Sequence, residues 1–237
     1  MDKKCHACGF KQGYIPYSLD GVNKLEDTYR CNICSHIFRH FKGDVEEYHR
    51  EKYRVVGEEG HKMYPKEERL QYINNIINNC KKYFDTTYDA LEIGSGDGLF
   101  AHTAQKHFKN IVCSDMDTKM TDKCAALGLD TITSSVLDIS NQSYDVVFGF
   151  DVLEHVVDIQ SFKDKMKEIV KKYLILQVPV NRTMVPPNPT FDGHSHYFNK
   201  HSIVCLFKDG FESLNVFYGN RGDLARGPEL LCVFRRK

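Results

Sequence analysis

The sequence predicts an α/β fold: a mostly parallel sheet with helices on both faces, preceded by a small cysteine-rich module. Three observations carry this. From Tyr88 onward, apolar β-branched runs alternate with helical patterns, the order that builds parallel sheets. The first run ends at Ile93 and meets glycines at alternate positions, Gly94, Gly96 and Gly98, which suits an abrupt strand-to-helix turn. Two Cys-x-x-Cys pairs, Cys5/Cys8 and Cys31/Cys34, stand near the N-terminus.

A chain of 237 residues with 41% hydrophobic residues can bury one ordinary α/β domain and a small appendage. Its formal net charge is zero, which counts against a nucleic-acid partner that would call for a basic field. No stretch approaches the roughly 18 apolar residues of a membrane span. The start, Met1 to Cys5, lacks the apolar centre of a signal peptide. A cytoplasmic protein is expected.

The cysteine pairs lie about twenty residues apart and present four thiolates to one tetrahedral zinc. Tyr14–Tyr17 and Thr28–Arg30 read as short strands, with Asp20-Gly21 as the turn. Residues 1–42 are therefore expected to form a zinc ribbon with a closed, structural site on Cys5, Cys8, Cys31 and Cys34. His6, His36 and His40 are spare donors. Cys80, Cys113, Cys124, Cys205 and Cys232 read as buried small hydrophobes. Residues 43–64 read as a polar connecting segment, in which Tyr48 and Tyr53 either face solvent or cover a ligand pocket.

The body is expected over residues 65–237. Pro65 suits a first helical turn, and Leu70, Ile73, Ile76, Ile77 and Cys80 share one face of a helix to Tyr83. Strands follow at Tyr88–Ile93, Asn110–Ser114, Thr131–Ser134, Tyr144–Phe150 and Tyr173–Val178. Helices are expected at Leu99–His107, Lys119–Leu127 and Ile159–Tyr173. Two further strands, Glu212–Tyr218 and Glu229–Phe234, bring the sheet to seven.

Parallel sheets bind ligands at the carboxyl ends of their strands. The glycine turn, Asp115, the segment Ser135–Asp138, and Asp151, Glu154 and His155 all collect there. Asp115, about twenty residues past the turn, is placed for both hydroxyls of a ribose. The spacing Gly94-x-Gly96-x-Gly98 differs from the G-x-G-x-x-G of dinucleotide sites, and Glu92 suits an ammonium group better than a pyrophosphate.

Here the chain resembles the class I S-adenosylmethionine-dependent methyltransferases, whose domain is Rossmann-like. Glu92 to Gly98 matches E/D-x-G-x-G-x-G. Ile111 to Asp117 is similar to V-x-G-x-D-x-S. Tyr144-Asp145-Val146-Val147-Phe148 through Asp151-Val152-Leu153-Glu154-His155-Val156 resembles F-D-V-V…V-L-E-H-V. The resemblance implies that Gly94 and Gly96 admit the methionyl part of the cofactor, Glu92 orients its ammonium, Asp115 holds the ribose, Met116 lies on the adenine and Phe150 lines the methionyl side. The adenine edge would meet Ser135–Asp138, through Val136 and either Asp138 or Ser135. Asp117 alternatively reads as a helix N-cap.

The acceptor side is expected in the loop from Pro179 to Ile203. Its run Gly193-His194-Ser195-His196-Tyr197-Phe198-Asn199 resembles the D/E-H-x-H-F-F-S segment of methyltransferases acting on sugars and other small molecules. Asn199 would cap the next helix. Methyl transfer to a hydroxyl needs alignment and a base. The candidates are His194 and His196, then His155 and Asp151; a second metal near Asp151, Glu154 and His155 is the lesser expectation. Arg221 and Arg226 could meet an anionic acceptor.

Ribbon and body together resemble bacterial methyltransferases of nucleotide sugars and glycans. The longer sugar C-methyltransferases carry a further C-terminal domain not found in this sequence, which turns the expectation to O-methylation of a sugar, nucleotide-sugar or glycan precursor. The alternatives are an RNA base methyltransferase that reads RNA with its ribbon, and a non-catalytic ribbon protein that holds a partner.

Overall fold

The computed structural model describes residues 4–11, 14–16, 28–39, 66–140, 142–180, 194–220 and 228–237. The connecting segment 43–64, the Asp20-Gly21 turn, Arg221, Arg226 and most of the loop before His194 lie outside the described residues.

The body is a seven-stranded sheet. In chain order its strands are β4 (Asp89–Ile93), β5 (Asn110–Asp115), β6 (Asp130–Thr133), β7 (Tyr144–Phe150), β8 (Val170–Pro179), β10 (Phe211–Asn220) and β11 (Pro228–Arg236). Across the sheet they run β10-β11-β8-β7-β4-β5-β6. The first strand, β4, is central and pairs in parallel with both β5 and β7. Strand order reverses beside it, which opens the crevice where such sheets hold ligands. β11 is inserted antiparallel between β8 and β10.

Alternate residues of each strand serve opposite faces. Leu91, Ile93, Val147, Leu174, Leu176 and Phe234 face one core layer with α4 (Ile159–Ile169) and α5 (Lys200–Phe207). Ala90, Val146, Phe148, Ile175 and Val233 face the other, with α1 (Lys66–Cys80) and α2 (Leu99–Ala104). α1 buries Ile73, Ile76, Ile77 and Cys80, the face its apolar spacing predicts. α3 (Thr118–Ala126) starts at Asp117, whose carboxylate accepts the Lys119 amide, and α5 starts with a reciprocal cap between Asn199 and Ser202.

One boundary differs from the sequence reading. The helix expected to reach Tyr173 stops at Ile169, and β8 begins at once. Val170 is buried and pairs with Tyr144. Lys172 turns outward to Asp145, 3.3 Å away, and lies over the Tyr88 ring. A β-branched residue with a strand partner overrides the helical lysine pattern.

The N-terminal module is a second sheet of β1 (Tyr14–Pro16), β2 (Thr28–Cys31) and β3 (Ile37–Arg39). It takes a fourth strand from the body, β9 (His196–Tyr197), antiparallel to β3 with Phe38 opposite His196. The Arg39 amide donates to the Ser195 carbonyl at 2.9 Å, Asn199 Nδ2 donates to the Cys34 carbonyl at 3.0 Å, and Gln160 Nε2 donates to the His6 carbonyl. Cys5, Cys31 and Cys34 belong to the same apolar cluster as Phe162 and Phe198. Among the described residues no helix is long and apolar enough to cross a membrane.

Candidate functional site

β4 ends at Ile93 because the next residues leave strand geometry: φ is +62° at Gly94 and +53° at Gly96, a region that side chains avoid. The two glycines differ in surroundings. A Cβ on Gly94 would overlap Cγ2 of Val152, whereas a Cβ on Gly96 would meet no protein atom within 4 Å. Gly94 is thus the point where the glycine turn touches the turn after β7. Gly96 leaves a cradle that only a ligand or a side chain would fill.

Asp115 closes this cradle at the end of β5. Its Oδ2 accepts the Gly96 amide at 3.0 Å and its Oδ1 accepts the Asp117 amide at 2.9 Å. Burial pushes its pKa up, and those amides oppose the shift. A carboxylate has about four acceptor sites, so Asp115 retains capacity beyond the amides it already accepts. Met116 and Val136 are half-buried nearby in sequence order, and Phe150 packs on Phe100 with ring centroids 4.6 Å apart. Asp138 is exposed, at a turn where its amide donates to the Ser135 carbonyl.

Glu92, which the resemblance gives as orienting the cofactor's ammonium group, is buried beside the glycine turn. It is 4% exposed, and its Oε2 accepts the Ala101 amide at 3.2 Å. It lies under the first turn of α2, satisfying one of the amides that every helix start leaves over. Burial holds its carboxyl well above the usual carboxylate range.

The candidate acceptor side, expected around Asp151–His155 and His194–His196, consists of two short segments. After β7, Asp151 takes a left-handed φ of +54°, rare for a side-chain-bearing residue, and the chain makes a 3-10 turn over Leu153–His155. Strain of this kind is kept where surrounding contacts fix it. Here Gln177 of β8 does so: its Nε2 donates to Asp151 Oδ1 at 2.8 Å, and its carbonyl accepts the Asp151 amide at 3.1 Å. The sequence reading missed Gln177. Its signal was a lone polar residue inside the apolar run Leu174–Val178, since a buried amide needs a partner.

The second segment, His194–Phe198, is stitched to the first by the Ser195 amide, which donates to the Glu154 carbonyl at 2.8 Å. His194 and His155 meet edge to face with ring centroids 4.7 Å apart. Ligand atoms of Glu154, His155 and His194 all lie within 4.8 Å of one another.

His196 does not join them, which corrects its expected role as a base. It is fully buried between ribbon and body. Its Nε2 lies 3.1 Å from the Val157 carbonyl and its Nδ1 lies 3.0 Å from His36 Nε2. A carbonyl only accepts, so Nε2 carries the proton and Nδ1 accepts from His36. Burial pulls its pKa down to about 3. The lone pair is committed, and the imidazole serves as a structural link.

The four ribbon cysteines converge. Their sulfurs lie within 4.8 Å of one another, with Cys5 and Cys34 3.6 Å apart and Cys8 and Cys31 3.7 Å apart. A tetrahedral ion at about 2.3 Å from each sulfur requires about 3.8 Å between sulfurs. Each pair sits in the same knuckle: the Gly9 amide donates to the Cys5 carbonyl and the Ser35 amide to the Cys31 carbonyl. The donor set and its spacing fit zinc. Of the scattered cysteines, Cys80, Cys113, Cys124 and Cys232 are buried as expected, while Cys205 is partly exposed beside His201.

Residues 91–172 match a family model described as a methyltransferase domain. Among curated proteins the chain is 27% identical over 121 residues to the ubiquinone biosynthesis O-methyltransferase of Rickettsia bellii, covering 47% of this chain and 50% of that one. It is 29% identical over 141 residues to the enzyme of the same name from Brucella anthropi, covering 52% and 55%. The chain thus spans about half the length of these relatives. Among solved structures it resembles the N-methyltransferase NodS of Bradyrhizobium japonicum with bound S-adenosyl-L-homocysteine, with a TM-score of 0.60, 14% identity and coverage of 71% and 87%. It also resembles magnesium protoporphyrin IX methyltransferase of Synechocystis, likewise solved with that product, with a TM-score of 0.64, 14% identity and coverage of 81% and 98%. Family model, relatives and folds point the same way: residues 91–172 match a methyltransferase domain, and the sheet has the fold of methyltransferases solved with S-adenosyl-L-homocysteine.

Proposed function

We propose that this chain transfers the methyl group of S-adenosylmethionine to a hydroxyl of a small acceptor. The observation that supports this best is the contact between Gly94 and Val152. It joins the glycine turn, the proposed donor site, to the turn carrying Glu154 and His155, the proposed acceptor site. When bound, the cofactor supplies a methyl group made electrophilic by a sulfonium.

In this reading Gly94 and Gly96 admit the methionyl part, Asp115 accepts the ribose hydroxyls, and Met116, Val136 and Phe150 give apolar contact. Glu92 shapes the turn from below. Asp138 offers an exposed carboxylate to the adenine edge. His155 and His194 stand where an acceptor hydroxyl would lose its proton, and Asp151, fixed by Gln177, orients it. The cysteine knuckles hold a structural zinc, and the ribbon holds β9 and with it His194.

Hydroxyl over amine is supported by the relatives named as O-methyltransferases and by the paired imidazoles, which suit an acceptor that must be deprotonated. For the acceptor class we retain sugars, nucleotide sugars and glycan precursors, on the likeness of the Gly193–Asn199 run; the relatives' name adds phenolic hydroxyls to the panel. The test is incubation with labelled cofactor and a panel of nucleotide sugars, catechols and RNA. Label on an oxygen of a small acceptor is expected. Label on RNA alone would establish the RNA reading in its place, and no affinity for S-adenosylhomocysteine would leave a non-catalytic ribbon protein.

A further inference from the structure

We infer that Thr28, Arg39 and Ser195 form a site for a phosphate group carried by the acceptor. This rests on the methyltransferase reading above and narrows its acceptor class. The three residues stand in one row across the ribbon sheet. Thr28 of β2 is the ladder partner of Arg39 of β3. The Arg39 amide donates to the Ser195 carbonyl at 2.9 Å, one step before His196 pairs with Phe38. Residues directly opposite one another in antiparallel strands share a face, so the Arg39 side chain leaves the sheet between two hydroxyls.

The row is buried: Thr28, Arg39 and Ser195 are 2%, 7% and 0% exposed. Neither Thr28 Oγ1 nor Ser195 Oγ has a hydrogen-bond partner among the described residues. A buried hydroxyl without a partner is destabilising, and two of them flanking one arginine need an explanation. An oxyanion supplies it. Phosphate oxygens accept from both hydroxyls and from a guanidinium, which forks onto two of them. Arg30, two residues along β2 on the same face and partly exposed, adds positive potential beside the row. A ligand reaches the row when the side chains above it move aside, and pairing both hydroxyls favours that movement.

The row adjoins the proposed acceptor side. The Ser195 amide donates to the Glu154 carbonyl at 2.8 Å. His194 directly precedes Ser195, one Cα step of about 3.8 Å away. Its ring centroid lies 5.9 Å from that of Tyr197, which shares a strand face with Ser195. A phosphate held by the row and a hydroxyl presented to His194 therefore fit one small molecule. A sugar phosphate or nucleotide sugar has both groups, whereas a catechol has only the hydroxyl. Two of the three row residues come from the ribbon, so acceptor recognition depends on the ribbon being docked on β9.

Titration calorimetry and thermal melts of the full-length protein with pyrophosphate, UDP-glucose and S-adenosylhomocysteine test this. Wild type is expected to bind pyrophosphate and UDP-glucose, and each should raise its melting temperature. Arg39→Gln is expected to weaken both more than about tenfold. Thr28→Val and Ser195→Ala remove only a hydroxyl. Each should weaken both ligands several-fold while raising the melting temperature of the ligand-free protein, because an unpartnered hydroxyl is gone. A merely structural hydroxyl would not give these opposite changes. Affinity for S-adenosylhomocysteine should hold in all three variants; should Arg39→Gln fail to fold, the two hydroxyl variants decide. No affinity for pyrophosphate or UDP-glucose in wild type, or equal affinity in wild type and variants, would overturn the inference while leaving O-methylation of a neutral acceptor standing. Binding of pyrophosphate without UDP-glucose would overturn the assignment of the phosphate to the acceptor. Absence of S-adenosylhomocysteine binding or of any methylated hydroxyl would instead overturn the functional reading, whichever anions bind.

Discussion

His36 Nε2 lies 3.0 Å from His196 Nδ1, joining the ribbon to the body across 160 residues of chain. The two rings stack with centroids 5.1 Å apart, and Phe38 lies against the same imidazole. His196→Ala removes this bond, strands the Val157 carbonyl and leaves a cavity. A loss of about 2–4 kcal/mol is expected, read from urea denaturation. Affinity for S-adenosylhomocysteine should hold within a few-fold, because the donor cradle is built from other segments.

The two glycines should separate by stability. Gly94→Ala sets a methyl group against Val152 and forces a left-handed φ, so it should cost about 2–4 kcal/mol. Gly96→Ala meets no protein atom and should cost only about 1 kcal/mol. Calorimetry should show cofactor-product binding weakened in both. A Gly96→Ala protein with normal affinity would remove that glycine from the site.

Asp115→Asn keeps an acceptor for the Gly96 amide but gives up the charge. Hydrogen bonds to a charged group are worth about 1.5–3 kcal/mol, so affinity for S-adenosylhomocysteine should fall about 10- to 100-fold. Titration calorimetry checks this.

Glu92 makes a pH prediction. Its folded-state pKa is raised by burial, so between the ordinary carboxylate value and that raised value the folded chain binds more protons than the unfolded one. Its stability contribution is present at low pH and declines as pH rises through that window. Glu92→Gln, which keeps an oxygen for the Ala101 amide, should therefore be the more stable protein at pH 7. The two should converge near pH 4 in thermal melts.

Removal of the proposed ribbon zinc should act at a distance. Chelation, or Cys34→Ser, is expected to release the ribbon as a protease-sensitive segment within residues 4–39, since structural zinc sites supply their own folding energy. His194 should lose its support as β3 leaves β9. Zinc content, limited proteolysis and transfer rate should fall together.

Much of this was legible in the chain. The central strand and its neighbours β5 and β7 are short apolar runs bounded by turn residues, so periodicity placed them within a residue or two. Asp117 and Asn199 were readable as caps because capping chemistry is local. The end of α4 was not, because Val170 takes a strand partner that no local pattern reveals. His196 misled for a related reason. Its neighbours in sequence match a substrate-facing run, but its ring is claimed by His36 and Val157, both distant in the chain. Gln177 went unnoticed because its partner, Asp151, lies on the adjacent strand end. What sequence withheld were pairings between remote segments, and the proposed acceptor side is built largely from those.

The pairing of β3 with β9 bears on how the chain is made. His36 of the ribbon is translated 160 residues before its partner His196, and the edge of β3 stays bare until β9 follows. An uncovered edge is a template for pairing with other chains. Until His196 and Tyr197 arrive, the proposed zinc on the four cysteines is what would hold the nascent ribbon in shape. Overexpression in zinc-poor medium should accordingly lower the soluble yield more than the folded protein's stability would suggest.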